Sequence, residues 1–378
     1  MPLTLSAEQQ LLRDNASQFI REAAPVGHMR GLRDRNDAEG FSRELWKQMA
    51  SLGWAGSFVP EAFGGLGLGY TEVSIILEAC GRTLAPTPFL SSVLLGAGCV
   101  LASGDSDLQR ELLPPLAAGD LLLALAFEET PRFAPHHVSC RAERVGNAYR
   151  LHGRKTYVLD GGSADKLIVS ARTSGTTSDR AGISLFLVDA NQRGLAVQRT
   201  RTIDSRSVAT CHLEGVEAQL IGELDGGADI LDPVLDRATV ALSAEMLGLC
   251  TEAYEITVEY LKTRIQFDAP IGSFQALQHR AVEMFGKLEL TKSVVQAACD
   301  ALDDKARHPE APRLASAAKA QATTLSRLIT REAIQMHGGI GMTDEHNIGL
   351  YLKRAATTEA TLGDTTHHRA RFAKLSGF

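Results

Sequence analysis

The sequence predicts an α+β fold in three consecutive parts: a helical N-terminal domain over residues 1–118, a β-barrel domain over 119–226 and a helical bundle over 227–378. Three observations carry that division. Apolar residues recur at three- and four-residue steps near both ends, the period of an amphipathic helix. Between about 119 and 226 they gather instead into short runs rich in β-branched and aromatic residues, separated by glycine turns. After 227 the helical period returns and persists over segments long enough to build a bundle.

The first helix starts at Ser6, which with Gln9 forms a capping-box signature, and Leu11, Leu12, Phe19 and Ile20 supply its apolar stripe. FSRELWKQMASLGW (41–54) is another helical segment and closes near Gly53. The glycine-rich VPEAFGGLGLGY (59–70) follows, and it suits either a phosphate cradle or a tight connection between helices; no strand-then-helix frame surrounds it. The β runs are LLLALAF (121–127), AYRLHG (148–153), KTYVLD (155–160), KLIVSA (166–171), ISLFLVD (183–189) and ATCHLEG (209–215). With turns at VGN (145–147) and DGG (160–162), their spacing suggests a small, mostly antiparallel barrel or sandwich. In 273–302, Leu277, Ala281, Met284, Leu288, Thr291, Val295, Ala298 and Leu302 keep helical register, with Ser273 as the expected N-cap and Pro270 separating this helix from the one before. A further helix from about 313 stops at Gly338-Gly339.

The bulk properties exclude several functions. A formal charge of −6, with no run of five or more basic residues, gives no electrostatic case for nucleic acid. Arg30, Arg33 and Arg35 alternate with Asp34 and Asp37, as on a solvated face. The six cysteines are scattered without a CxxC pair, which fits a reducing cytoplasm better than disulfide or metal chemistry. The start, MPLTLSAEQQLL, lacks the pattern of a signal peptide, and LLLALAF is too short to cross a bilayer, so a soluble cytoplasmic protein is expected. In EATLGDTTHHRARF (359–372), His367 and His368 are adjacent and on a helix point about 100° apart, which argues against a shared metal.

Two strings in the final bundle carry specific information: YLKTRIQFDAPIGSFQALQHRAVEM (260–284) and QMHGGIGMTDEHNIGLYLKR (335–354). Together with the helix–β–helix order they resemble the acyl-CoA dehydrogenase family over essentially the whole chain. The resemblance implies an acyl-CoA dehydrogenase-like fold ending in a four-helix bundle, with FAD as cofactor and an acyl-CoA thioester as substrate. It also implies electron-transfer flavoprotein as electron acceptor. Within the family the FAD is clamped between subunits, so Arg264, Gln266 and Phe267 would reach the FAD of a neighbour. Gln275 matches the glutamine of the F-Q pair, while Gln335, Gly338 and Gly339 match the adenine end and Thr365 joins the cofactor residues. Such roles are chemically reasonable, since a guanidinium forks onto pyrophosphate and glycines let backbone approach closely.

Other positions depart from the family pattern. Where the family carries a T-E-P-x-x-G-S-D loop against the flavin, this chain has FEETPRFAPHH (127–137), and Tyr157, Val158 and Leu159 stand in place of W-I-T. Aligned through the helix after Tyr351, the E-G-T string that holds the catalytic glutamate falls on Gly363, Asp364 and Thr365. The alternative base position, ten residues before Gly248, is Ala238, followed by Thr239 where an arginine is common, with Arg237 nearby. Displaced-base candidates are Asp364 and Glu245, the latter equally a buried hydrogen-bonding partner. These departures resemble the small-subunit type, as in the pimeloyl-CoA dehydrogenase small subunit and the unequal subunits of bacterial steroid side-chain dehydrogenases. That type implies a homologous large subunit, with this chain either an oxidising subunit or a structural companion.

Overall fold

The computed structural model describes residues 5–146 and 148–378. Six helices come first: α1 (Ala7–Ala23), α2 (Val26–Asp34), α3 (Arg43–Ser51), α4 (Tyr70–Thr83), α5 (Gly98–Ala102) and α6 (Ser106–Ala117). Seven strands follow: β1 (Leu123–Ala126), β2 (Arg141–Val145), β3 (Ala148–Leu159), β4 (Lys166–Arg172), β5 (Ile183–Asp189), β6 (Leu195–Arg201) and β7 (Ser207–Ile221). The remainder comprises α7 (Gly227–Thr263), a small hairpin of β8 (Ile265–Gln266) and β9 (Ala269–Pro270), then α8 (Gln275–Asp303), α9 (Ala311–His337), α10 (Ile348–Ala360) and α11 (Thr365–Leu375). Among the described residues no helix is long and apolar enough to cross a membrane. The chain forms two compact units: Met1–Gly31 with Gly69–Ala85 and Thr239–Phe378, and Leu32–Leu68 with Pro86–Ala238.

In the second unit the β segment closes on itself. β4 pairs β2, β2 pairs β3, β3 pairs β7, β7 pairs β5 and β5 returns to β4, while β1 adds in parallel to β4 and β6 adds to β7. Closure removes most free edges and encloses an apolar interior that includes Leu151, Val169, Phe186, Leu213 and Val216. AYRLHG and KTYVLD, expected as separate runs, are one strand, β3, that bends at two irregularities, after Leu151 and between Lys155 and Val158. β2 and β6 escape an apolar-run reading because most of their residues are exposed. Asn147, the last residue of the expected VGN turn, lies outside the described residues.

The glycine-rich stretch after α3 is a connection. The N–H groups of Leu66, Gly67 and Leu68 donate to the carbonyls of Gly56, Val59 and Ser57, at 2.9, 2.9 and 2.7 Å. Those donors are therefore spent on the chain itself rather than offered to a phosphate.

In the first unit the expected capping box at Ser6 and Gln9 is present on both sides. The stripe on α1 differs from expectation: Ile20 and Ala16 are buried, Leu12 and Phe19 half-buried, and Leu11 is 62% exposed. On α8 every expected core position from Leu277 to Leu302 is buried or half-buried. Its N-cap is Phe274 rather than Ser273, whose hydroxyl donates to the Pro270 carbonyl at 2.7 Å. The six cysteines are buried and none is joined in a disulfide among the described residues.

The closest approach in this unit is between α4 and α7. A Cβ added at Gly81 would overlap the carbonyl oxygen of Glu245, and one added at Gly248 would overlap that of Glu78. The two glycines face each other's partner backbone reciprocally, so the helices cross at main-chain contact. Because backbone cannot yield as a flexible side chain can, Gly248→Ala should lower stability by at least about 1–3 kcal/mol. Urea unfolding of the whole chain reads this directly, and an unshifted midpoint would refute the tight crossing.

Candidate functional site

Seven of the residues singled out in the sequence lie at one end of the helical unit. α7 ends at Thr263, and the next residues turn back through β8 and β9, with the Ile271 N–H donating to the Arg264 carbonyl at 2.9 Å. The two-residue turn of this hairpin is Phe267-Asp268, both at positive φ (54° and 59°). A two-residue hairpin favours that geometry, but phenylalanine adopts it at a cost that glycine avoids. Phe267 is 88% exposed and stands edge-on to Phe274, with ring centroids 6.1 Å apart. No carboxylate pairs with the exposed Arg264 among the described residues. The exposed Gln266 side chain donates to the Ile265 carbonyl at 2.9 Å, and Gln275 opens α8 exposed.

The turn that ends α9 lies beside this hairpin. Tyr260, one turn before Arg264, stacks on His337 with centroids 4.4 Å apart, and its hydroxyl donates to the His337 carbonyl at 3.3 Å. His337 immediately precedes Gly338 and Gly339, which are exposed, with open space where a Cβ would stand. Gln335 is exposed on the last turn of α9. His346 packs 4.5 Å from His337 and edge-on to Tyr260 at 6.4 Å, closing a three-ring cluster, and Arg30 donates to Asn347 and Asp344, at 2.9 and 3.0 Å. Burial lowers the pKa of both imidazoles. Sequence reasoning missed this Tyr260–His337–His346 stack, although its members lie within the two informative strings.

The eighth residue, Thr365, is elsewhere, at the first position of α11. Its hydroxyl is buried without a hydrogen-bond partner. Asp364 caps the same helix, accepting from the His367 N–H at 2.8 Å, and the His368 Nε2–H donates to the Leu362 carbonyl at 2.8 Å. Gly363, at the family's base position, has φ +96°, and Leu362 before it +58°. Left-handed backbone disfavours any residue with a Cβ, so a glutamate at 363 would be strained. The stretch EATLGDTTHHRARF is thus the end of α10, a tight turn and the capped start of α11, and no group of three potential metal ligands occurs among the described residues.

Neither displaced-base candidate is idle. Glu245 is buried on α7, where its Oε1 accepts from the Arg354 Nε–H and an Arg354 Nη–H at 2.9 and 2.7 Å. At the alternative position, Ala238 is fully buried.

In the β unit, the 127–137 segment is held by ion pairs and carbonyl contacts instead of glycine turns. Lys155, fully buried on β3, donates to Glu129 at 2.6 Å and to Ser170 at 2.9 Å. Arg172 donates to the carbonyls of His136, Val138, Thr177 and Ala181, and His136 bonds Asp232 at 2.7 Å. Beside it Tyr157 has φ +53°, and the Thr156 N–H donates to the Glu128 carbonyl at 2.8 Å. Burial pushes the Glu128 carboxyl up to about 8. For Glu129 burial also pushes upward, but Lys155 and the N–H groups of Ser139 and Cys140 outweigh it and hold the carboxyl below its usual value.

The family's N-terminal, middle and C-terminal acyl-CoA dehydrogenase domains match residues 6–120, 131–216 and 225–376. The chain therefore belongs to the acyl-CoA dehydrogenase family, whose members bind FAD and dehydrogenate acyl-CoA. It is 32% identical to acyl-CoA dehydrogenase FadE27 of Mycobacterium tuberculosis over 88% of each chain. Among solved structures it resembles a variant of the Tcur3481-Tcur3483 steroid ACAD (31% identity, TM-score 0.87, covering 99% and 98% of the two chains). It also resembles a chain of the ChsE4-ChsE5 complex from Mycobacterium tuberculosis (29% identity, TM-score 0.88, 100% of both). The residues present fit an FAD: an unpaired arginine on a strained exposed hairpin, an open glycine turn, and a buried hydroxyl without a partner.

The Glu129 shift has a pH consequence. A carboxyl whose folded pKa is depressed adds stability above its unfolded value, near 4.3, and loses it as pH falls through the lower folded value. Stability should therefore decline below about pH 4 with a component that Glu129→Gln removes. Urea unfolding of both proteins between neutral pH and pH 3 measures it; identical slopes would refute the pairing.

Proposed function

We propose that this chain is a subunit of a heteromeric, cytoplasmic, FAD-dependent acyl-CoA dehydrogenase, in which it completes a cofactor site shared with a homologous large subunit. The observation that carries this reading is a pairing of opposites. Seven residues that match family cofactor positions (Arg264, Gln266, Phe267, Gln275, Gln335, Gly338 and Gly339) are exposed, while glycine and alanine stand where the sequence resemblance places the base. When bound, FAD accepts the substrate's β-hydrogen as hydride. Arg264 would fork onto the pyrophosphate of the partner's cofactor, with Gln266, Phe267 and Gln275 beside it. Gln335 and the open Gly338-Gly339 turn would receive the adenine end, and Thr365 would donate its unspent hydroxyl.

Removal of the α-proton needs a carboxylate at the substrate, and general-base catalysis contributes about 10²–10⁴-fold. Glu245, engaged by Arg354, and Asp364, engaged as a helix cap, act structurally in this reading. The large subunit then brings the base, and electron-transfer flavoprotein takes the electrons. Exposed apolar side chains on and beside α8, Val282 at 68% and Leu290 at 63% with Phe274 and Phe285, support a subunit contact there. Similarity to a steroid ACAD and to FadE27 supports fatty acid or steroid side-chain degradation as the setting.

The test is anaerobic flavin reduction by short, branched, dicarboxylic and steroid acyl-CoAs, on the chain alone and with a co-expressed large subunit. The chain alone should show little bleaching. In the assembly, Arg264→Ala should weaken FAD binding about ten- to a hundredfold. Fast bleaching by the lone chain, abolished by Asp364→Asn or Glu245→Gln, would overturn the reading.

A further inference from the structure

Lys319 lies in the middle of α9 and is fully buried, in a run, ASAAKAQATT (315–324), whose other residues are mostly small. Its ammonium ends at three main-chain carbonyls: Thr358 at 2.9 Å, Glu359 at 3.1 Å and Gly363 at 2.9 Å. The first two belong to the last turn of α10, where carbonyls have no partner within the helix and the helix dipole favours a cation. The third belongs to the left-handed Gly363 itself. The Lys319 nitrogen thus donates to three carbonyls within residues 358–363, tying the end of α10 to the turn that follows it.

That turn delivers Thr365, two residues beyond Gly363, with a buried hydroxyl and no partner. Two other contacts reach the same turn: His368 Nε2–H donates to the Leu362 carbonyl and the Asp364 carboxylate accepts from the His367 N–H, both at 2.8 Å. Arg327 pairs with Glu359, and Arg371 donates to the Pro312 carbonyl and the Ser316 hydroxyl, at 3.1 and 3.0 Å. Lys319 reaches the Gly363 carbonyl directly, inside the turn.

We propose that Lys319 is a positioning residue for the cofactor: by tying Thr358, Glu359 and Gly363 together it sets the turn that aims the Thr365 hydroxyl at FAD. This rests on the assignment of Thr365 to FAD made above. It assigns to a buried lysine, far from any familiar motif, the organising role in a turn that has lost its catalytic carboxylate. The lysine itself does not touch the cofactor and acts only through Thr365.

A double-mutant cycle on the flavin-loaded assembly tests this, with FAD affinity and the visible circular dichroism of the bound flavin as readouts. Thr365→Ala should weaken FAD binding about three- to tenfold, the loss of one neutral hydrogen bond. Lys319→Met should weaken it at least as much and alter the flavin dichroism in the same sense. The double variant should be no worse than Lys319→Met alone, because the two residues act as one unit. Without flavin, amide exchange in 360–366 should quicken in Lys319→Met while the rest of α9 keeps its protection. If Lys319→Met does not accumulate, Lys319→Gln, which leaves two donors for three carbonyls, is read in the same way. Unchanged affinity in Thr365→Ala overturns the assignment of Thr365 and this proposal with it. A loss in Thr365→Ala without one in Lys319→Met, or simply additive losses, overturns the positioning role alone.

Discussion

Main-chain contact between α4 and α7 is the constraint on which the helical unit depends. Two helices can approach to that distance only where neither presents a Cβ, and Gly81 and Gly248 supply this on opposite sides of one crossing. Three polar ties hold the elements packed on it. Arg82, one residue past Gly81, pairs with Glu252 and Glu255 on α7 and gives its carbonyl to the Tyr351 hydroxyl on α10, at 2.7 Å. Glu245, whose carbonyl faces Gly81, sends its side chain to Arg354, also on α10. The carboxylate that resembles a displaced base in the sequence is therefore part of the frame that orients α10.

In the proposed reading, the same frame would keep the cofactor positions in place without an acid–base group of the chain's own. The residues proposed to meet the cofactor lie on helix ends and short turns, which are fixed by backbone geometry and buried cations. A proton acceptor resides on a single side chain, and its removal leaves that geometry intact. At Gly363 the left-handed backbone favours glycine. On the β side, glycine turns have given way to Lys155, Glu129 and Arg172, which hold their segment by charge-assisted bonds.

Much of this was legible in the sequence, for identifiable reasons. The capping box at Ser6 and the α8 register are local patterns, and local patterns survive folding. The R-I-Q-F and H-G-G-I-G strings were legible because backbone turns demand particular residues. β2 and β6 were not, since an exposed strand pairs through its backbone and needs no apolar run. Ser273 lost the N-cap to Phe274 because its hydroxyl found the Pro270 carbonyl first. Lys319 was invisible to any rule that places lysine on the surface; its only signal is a charge within a run of small residues. The partners of Glu245, and the unpartnered state of Thr365, are properties of three-dimensional neighbours alone.

The burial of all six cysteines gives the chain an intrinsic clock. Burial pushes the Cys99, Cys211 and Cys299 thiols up to about 12 and Cys140 to about 11, so these four are held as thiols at neutral pH in the closed protein. Alkylation then waits for the polypeptide to open. Because Cys140 and Cys211 sit in the barrel interior while Cys250 and Cys299 sit in the helical core, the order in which the sulfurs react reports which part breathes first.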